Sequence, residues 1–246
     1  MKRMIEEQGF KKVLYDESKK KNIELSDDLL NKFEKYKNML LEYNEKINLT
    51  AITDEYEIII KHFVDCLECT KFIEKNKNII DVGTGAGFPG LVIAIYFGDD
   101  INITLLDSLN KRLVFLNEVI KELKLSKVDI IHKRAEEAAQ EVNYREKYDY
   151  VASRAVANLP ILLEYTTPYL KINGEAIIMK SNNLQDEINN SKKALQILNC
   201  SIKQIYEYSL AVREEDFNRN ILIIKKEKNT PKIYPRSYGK IKKAPL

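Results

Sequence analysis

The chain has 246 residues, of which 44% are hydrophobic and 31% are charged, and its formal net charge is +3. No apolar run approaches the roughly 18 residues that a membrane span needs, no apolar block follows the charged first residues, and the three cysteines form no disulfide framework. These features exclude a membrane-spanning or secreted, disulfide-rich class and predict a cytoplasmic protein of one large domain with an appendage, or of two small domains.

The charge is unevenly distributed along the chain. Residues 225–246 contain eight basic residues and one acid, residues 1–22 contain seven basic residues and four acids, and the segment 23–224 has a net charge of −7. A basic terminal segment can bind phosphates by releasing their counterions, which makes the C-terminal end a candidate for contact with nucleic acid. A tail that only improves solubility is the alternative.

Two amphipathic helices are predicted in the N-terminal part of the chain. Over 27–44 apolar residues recur at helical spacing, and Ser26 is a candidate N-cap for the first turn. A second helix is predicted over 54–74. Together these elements predict a helical N-terminal region, residues 1–75, packed on the rest of the chain.

From residue 79 onward, short β-rich runs alternate with helical segments. Strands are predicted at 79–82, 103–107, 128–132, 148–154 and 175–180, and helices near 90–97, 110–124, 134–142, 158–170 and 183–198. This alternation predicts an α/β fold with a doubly wound parallel sheet over residues 76–230. Two final β-rich runs, 201–210 and 220–228, have no helix-length spacer between them and are predicted to pair antiparallel at one edge. Residues 231–246 form the basic tail.

A glycine-rich turn, GTGAGFPG at 83–90, connects the first predicted strand to the next helix. Glycines let the backbone approach a ligand closely, and open α/β sheets bind ligands at this carboxyl edge. Residues 85–90 match the dinucleotide pattern G-x-G-x-x-G, and Asp107 lies 22 residues after its first glycine. If the pattern is counted from the first glycine of the turn, Gly83, it fails, because Phe88 stands where the third glycine of the pattern should be.

An acid, Asp81, precedes this turn and adds negative charge where the pyrophosphate of a dinucleotide would lie. The same carboxylate favours a ligand with an ammonium group, such as S-adenosylmethionine. The segment Gly83 to Gly87, which includes Gly85, would then cover its methionine and sugar, and Asp107 would accept hydrogen bonds from the ribose hydroxyls. S-adenosylmethionine is the predicted cofactor; a dinucleotide and a turn that binds nothing are the alternatives.

Several separate blocks of sequence resemble a known family. They are YNEKINLTAIT (43–53), KHFVDCL (61–67), DVGTGAGFPG (81–90), DSLNKRLVFL (107–116), HKRAEE (132–137), SRAVANL (153–159) and YPRSYGKIKKAPL (234–246). In this order, from about residue 26 to the last residue, they resemble the bacterial 16S rRNA (guanine-N7)-methyltransferases, the small-subunit rRNA methyltransferase G family, also known as glucose-inhibited division protein B. Lys61 and Cys66 stand where the family usually has arginine and serine.

The resemblance implies a Rossmann-like S-adenosylmethionine-dependent methyltransferase fold with a seven-stranded sheet and an N-terminal helical extension. It implies methylation of N7 of one guanine in the 530 loop of 16S rRNA, with the rRNA or the small ribosomal subunit as partner. The donor-site positions of the family correspond here to Gly83, Phe88, Ala135, Glu136 and Arg154. We expect Arg154, at the carboxyl end of a strand, to orient the donor or to contact the RNA.

Guanine N7 has an exposed lone pair and no proton, so no general base is expected and no catalytic residue is assigned. Holding the two reactants in line can by itself supply about 7–11 kcal/mol in favourable model systems. The candidates for RNA binding are Lys111, Arg112, Arg236, Lys240, Lys242 and Lys243, with Tyr234 and Tyr238 as candidates for base stacking.

Three other interpretations have less support. Cys66 and Cys69 form a C-x-x-C pair near His62, but the sequence has no second pair and a closed zinc site needs four ligands, so no metal is predicted. A NAD-dependent oxidoreductase would use the match at 85–90. A non-catalytic RNA-binding protein with the same fold is a further alternative.

Overall fold

The computed structural model describes residues 2–154, 156–181 and 184–246, without the side chains of residues 2–8. Seven strands form one sheet in the order β3-β2-β1-β4-β5-β7-β6. They are β1 Asn78–Val82, β2 Asn102–Asp107, β3 Val128–His132, β4 Tyr148–Arg154, β5 Leu170–Lys180, β6 Cys200–Val212 and β7 Glu215–Lys226. β1 to β5 are parallel, and β7 pairs antiparallel with both β5 and β6. The predicted mostly parallel sheet with an antiparallel edge is confirmed.

The helices of the described residues are α1 Lys2–Lys20, α2 Asp27–Ile47, α3 Glu55–Ile58, α4 Asp65–Leu67, α5 Gly90–Phe97, α6 Asn110–Glu122, α7 Ala135–Ala138, α8 Leu159–Thr166, α9 Leu184–Ile197 and α10 Tyr238–Lys243. The helix predicted over 27–44 is α2, and the hydroxyl of Ser26 caps it by accepting from the Leu29 N–H. The helix predicted near 183–198 is α9, and residue 183 lies outside the described residues. The sequence pattern does not predict α1 or α10.

The segment predicted as one helix over 54–74 is helical but not uniform. A π-helical turn, Ile59–Val64, lies between α3 and α4, and a 3₁₀ turn, Glu68–Phe72, follows α4. A π turn contains one more residue than an α turn and therefore changes which side chains face the core. Here it contains His62, and Asp65 follows it directly.

Hydrophobic cores lie on both faces of the sheet. On one face, Phe33 and Phe63 from the N-terminal helices are buried together with Leu91 of α5. On the other face, Leu163 of α8 and Leu195 of α9 pack with strand residues. The N-terminal helices therefore share one continuous core with the sheet, and their packing fixes the loop that leaves β1.

The C-terminal tail folds back onto α8. Arg236 forms a paired ion contact with Glu164, which is fully buried, at 2.7 Å between Nη2 and Oε2. Ile241 of α10 is fully buried in the core of the same face. These contacts bring the end of the chain to the carboxyl edge of the sheet. No helix within the described ranges has the length and apolar composition needed to cross a membrane.

Candidate functional site

A cavity of about 420 Å³ lies at the carboxyl ends of β1, β2, β3 and β4. Small-molecule sites commonly have volumes of roughly 300–1,000 Å³, so this cavity is large enough for one cofactor. Its wall contains seven of the predicted donor-site residues: Gly83, Gly85, Phe88, Asp107, Ala135, Glu136 and Arg154. The fold thus brings together, at one edge, residues that come from four different strand ends.

Gly85 and Gly87 of the glycine loop both have a left-handed backbone conformation, which favours glycine. Gly85 has a φ of +61°, and a Cβ added there would meet nothing closer than a loop carbonyl at 4.0 Å, so its backbone is open to the cavity. Gly87 has a φ of +104°, and a Cβ there would lie 2.6 Å from the Tyr36 hydroxyl. The first position allows a ligand to approach, and the second allows α2 to pack against the loop.

Asp81 lies beneath this loop and has no surface in the cavity wall. Its side chain is fully buried, Oδ2 accepts from the Gly90 N–H at 2.8 Å, and Oδ1 has no partner within the described part of the chain. Burial raises the pKa of Asp81 to about 7, against the opposing effect of the Gly90 hydrogen bond. The structure therefore corrects the predicted direct contact with a ligand ammonium group: Asp81 acts on the cavity by holding the loop to the start of α5.

Asp107 connects the loop to α6. Its Oδ2 accepts from the Gly85 N–H at 2.9 Å and from Arg112 Nη1 at 3.2 Å, and its Oδ1 accepts from the Leu109 N–H at 2.8 Å. A carboxylate has about four acceptor positions, so roughly one is left for a ligand hydroxyl. Asp107 is only 4% exposed and lines the cavity, which fits the predicted contact with a ribose.

Ala135 and Glu136 form the start of α7, on the β3 side of the cavity. The Tyr169 hydroxyl donates to the Ala135 carbonyl at 2.6 Å and fixes the backbone there. Glu136 is 7% exposed, and Arg134 Nη1 lies 4.0 Å from its Oε1. A buried carboxylate in a cavity wall can accept hydrogen bonds from polar groups of a ligand.

Arg154 lies on the opposite side of the loop and is bound by the N-terminal helices. Its Nη1 donates to the Lys61 carbonyl at 2.9 Å and lies 3.4 Å from Asp65 Oδ2, and its Nη2 donates to His62 Nδ1 at 3.1 Å. The guanidinium lies 4.9 Å from the centre of the Phe88 ring. The carboxylate beside Arg154 is therefore a buried one, since Asp65 is only 4% exposed.

His62, Asp65 and Thr50 belong to the site, although the motif analysis assigned them no role. The His62 ring stacks on Phe88 with a centroid distance of 4.3 Å, and its Nε2 lies 2.9 Å from Thr50 Oγ1. Asp65 also accepts from the Tyr208 hydroxyl of β6 at 2.7 Å. The signal that could have found these residues is their position in two blocks that resemble the family, 43–53 and 61–67.

Aromatic and basic groups from the C-terminal tail complete the rim. Tyr238 of α10 lines the cavity, and the Arg134 guanidinium lies 4.7 Å from the centre of its ring. Lys111 and the three lysines of α10 have exposed side chains: Lys240, Lys242 and Lys243. The guanidiniums of Arg112 and Arg236, both predicted to bind RNA, are engaged by Asp107 and Glu164.

No group of three or more His, Cys, Asp or Glu side chains that could hold a metal ion occurs in the part of the chain that the structure describes. Cys66 and Cys69 are buried free thiols, and burial raises the pKa of each. They pack with the apolar side chains of the first core.

The sheet order and the glycine loop at the end of β1 define a Rossmann-like methyltransferase fold. The structure is similar to that of M. jannaschii TYW2 in complex with AdoMet, with a TM-score of 0.52 and 15% identity over 66% of this chain and 74% of that one. It is also similar to precorrin-6y C5,15-methyltransferase from Geobacter metallireducens, with a TM-score of 0.51 and 14% identity over 67% and 88% of the two chains.

The sequence comparisons define the family. The model of the GidB family, rRNA small subunit methyltransferase G, matches residues 29–216. The ribosomal RNA small subunit methyltransferase G of Clostridium perfringens (strain SM101) is 49% identical over 226 residues, 91% of this chain and 93% of its own. That of Acetivibrio thermocellus is 48% identical over 237 residues, 96% of each chain. The chain belongs to the rRNA small subunit methyltransferase G family. The resemblance found in the sequence is confirmed, and the oxidoreductase alternative is not favoured.

Proposed function

We propose that this protein uses S-adenosylmethionine to methylate N7 of one guanine in the 530 loop of 16S rRNA. The observation that supports this most directly is the cavity that unites the glycine loop, Asp107, Glu136 and Arg154 in a member of this family. An rRNA substrate implies action in the cytoplasm. The choice of N7 rests on the resemblance in sequence and on the chemistry of the site.

The cavity fits S-adenosylmethionine in size and in chemistry. The open face of Gly85 leaves space for a ligand against the backbone. Asp107 retains about one acceptor position for a hydroxyl, and Glu136 provides a second carboxylate. Phe88 adds an aromatic side chain to the wall, and its ring is held by the stacked His62 ring and by the guanidinium of Arg154.

The side chains of the cavity have to position the base, since N7 has no proton to remove. Bound S-adenosylmethionine supplies a methyl group on a positively charged sulfur: N7 bonds to the methyl carbon, the electrons of the broken carbon–sulfur bond stay on sulfur, and the charge moves to the base. Stacking of His62 on Phe88 and the bonds of Arg154 make the floor of the cavity rigid. A rigid, partly closed cavity holds the reactants in line and excludes water.

The RNA side of the proposal rests on exposed basic groups near the cavity. Lys240, Lys242 and Lys243 follow Tyr238, which lines the cavity, and Lys111 is exposed beside Arg112. The contacts of Arg236 and Ile241 hold the backbone of α10 in place near the cavity. Its exposed lysines can bind rRNA phosphates there and bring the loop to the donor.

Transfer of a labelled methyl group to small subunits from a strain without this activity tests the proposal. We expect one 7-methylguanosine in the 530 loop. Glu136→Gln, in the cavity wall, should weaken donor binding, whereas Glu137→Gln, at an exposed neighbouring position, should not. Binding of the donor without incorporation would instead support a non-catalytic RNA-binding protein, and methylation at another atom would refute the N7 assignment.

A further inference from the structure

A chain of hydrogen bonds runs from Asp65 to Thr50. Arg154 lies 3.4 Å from Asp65 Oδ2 and donates from Nη2 to His62 Nδ1 at 3.1 Å, and His62 Nε2 lies 2.9 Å from Thr50 Oγ1. Arg154, His62 and Thr50 line the cavity, and Asp65 is buried behind them. The chain ends on a hydroxyl group in the cavity wall.

Arg154 fixes the direction of these bonds. A guanidinium has donors and no acceptor, so His62 Nδ1 must accept and carries no proton. The proton of the neutral ring is then on Nε2, which donates to Thr50 Oγ1. Burial and the positive charge of Arg154 lower the pKa of His62 to about 3, so the ring stays neutral near pH 7.

Thr50 can act toward the cavity only as a hydrogen-bond donor. Its Oγ1 accepts from His62 Nε2 and from the Ile52 N–H at 3.1 Å, which uses both lone pairs. The Thr50 hydroxyl proton cannot be donated to His62 Nε2 or to the Ile52 N–H, because both groups are themselves donors. The Thr50 backbone is held in place as well, since its N–H donates to Asn44 Oδ1 at 2.8 Å.

Thr50 also lies on the side from which the acceptor base has to approach. The strand order places β2 and β3, with Asp107 and Glu136, on one side of the glycine loop and β4, with Arg154, on the other. In the proposed function the first side holds the donor's ribose. Thr50 is connected through His62 to the β4 side, which the proposed function leaves for the acceptor base.

We propose that Thr50 donates a hydrogen bond to O6 of the target guanine and thereby selects guanine over adenine. O6 is the acceptor next to N7 on the major-groove edge of guanine, and adenine has an amino donor at that position. A fixed O–H donor therefore binds guanine with N7 exposed and opposes the amino group of adenine. This inference rests on the proposed function.

The test compares guanine, inosine and 2-aminopurine at the target position of 16S rRNA reconstituted into small subunits. Inosine keeps O6 and N7 but lacks the 2-amino group, and 2-aminopurine keeps N7 and the 2-amino group but lacks O6 and the N1 proton. The change in preference between wild type and Thr50→Val therefore isolates the contact of Thr50. For the wild-type protein we expect kcat/KM for 2-aminopurine to be at least about tenfold below that for inosine, the effect of one hydrogen bond. Thr50→Val keeps the shape but removes the donor, together with the acceptor of His62 Nε2 and of the Ile52 N–H. The second loss acts on both substrates, so kcat/KM should fall about tenfold more on inosine than on 2-aminopurine.

Thr50→Ser is the matched control, because it keeps the hydroxyl and should keep the wild-type preference. The affinity of each variant for S-adenosylmethionine is measured separately and divided out of the comparison, and thermal unfolding verifies the fold. An equal preference for inosine over 2-aminopurine in wild type and Thr50→Val would overturn the inference. If Thr50→Val is too slow to assay, the affinities for the two substituted subunits are compared in the same way. A wild-type protein that methylates none of the guanine substrate would refute the proposed function and not the role of Thr50 specifically.

Discussion

The hydroxyl of Tyr36, on α2, donates a hydrogen bond of 2.6 Å to the carbonyl oxygen of Ala86 in the glycine loop. The Tyr36 side chain is fully buried, and its ring stacks on Phe88 at a centroid distance of 5.5 Å. An N-terminal helix thus holds the loop that forms the proposed donor site. The helical extension is therefore a structural part of the cavity.

Replacement of Tyr36 by phenylalanine should weaken both the fold and the cavity. The ring contacts remain, but the Ala86 carbonyl loses its partner in a buried position, at a cost of about 1–3 kcal/mol in the free energy of unfolding. Chemical denaturation and the affinity for S-adenosylmethionine measure the two effects. Tyr43→Phe is the control, since the Tyr43 hydroxyl binds Glu118 in an exposed position. Equal effects of both substitutions would contradict this role of Tyr36.

Gly87→Ala should lower the free energy of unfolding more than Gly98→Ala does, although both glycines have a positive φ. At Gly87 a Cβ would lie 2.6 Å from the Tyr36 hydroxyl and 2.9 Å from Leu116 Cδ2, in addition to the strain at φ +104°. We expect a loss of about 2–4 kcal/mol. Gly98→Ala adds strain at φ +55° without a neighbour within 4 Å and should cost about 1–2 kcal/mol. Thermal unfolding of both variants measures the difference, and equal losses would argue against a tight contact between α2 and the loop.

The buried carboxyl of Asp81 should make stability depend on pH. Its pKa rises from 3.8 to about 7 on folding, so between these values the folded state holds a proton that the unfolded state has released. Stability is therefore lost as the pH rises through this window. Asp81→Asn cannot ionise, and its stability relative to wild type should improve by a few kcal/mol from about pH 4 to about pH 8. A constant difference across this range would show that Asp81 does not titrate as expected.

His62 has the opposite effect on the pH dependence of stability. In a profile of wild-type stability against pH, its contribution would therefore hide that of Asp81. The pKa of His62 falls from 6.5 to about 3 on folding because of burial and the charge of Arg154. Between these values the unfolded state binds the extra proton, so stability rises with pH. The comparison of Asp81→Asn with wild type removes this contribution, since both proteins contain His62.

The exposed lysines of α10 should contribute to rRNA affinity through phosphate contacts. Replacement of Lys240, Lys242 and Lys243 by glutamine removes three charges without disturbing Ile241 or the Arg236–Glu164 pair. The slope of log Kd against log salt concentration should fall by about 2–3. The same change at Lys192, Lys193 and Lys228, which are exposed and do not line the cavity, is the control. An unchanged slope would indicate that the tail does not bind the RNA backbone.

Local patterns explain which elements could be predicted. The strands and α2 follow from the periodicity of apolar residues, and Ser26 is a local cap whose partner, Leu29, lies three residues away. The C-terminal helix α10 has only Ile241 buried and few residues in total, so it shows no periodicity. The π turn at Ile59–Val64 breaks the regular spacing that predicted a single helix over 54–74.

The sheet, the glycine loop and the family could be predicted from the sequence, because periodicity, turn chemistry and blocks that resemble a family are properties of short segments. The direction in which each side chain faces depends on packing and could be read only from the folded chain. Packing placed Asp81 under the loop, although its position before the glycines suggested a ligand contact. It also joined Arg154 to His62 across 92 residues and placed Thr50, bonded to His62, in the cavity wall. Hydrogen-bond direction depends on the partners that packing provides, and these partners come from distant parts of the chain.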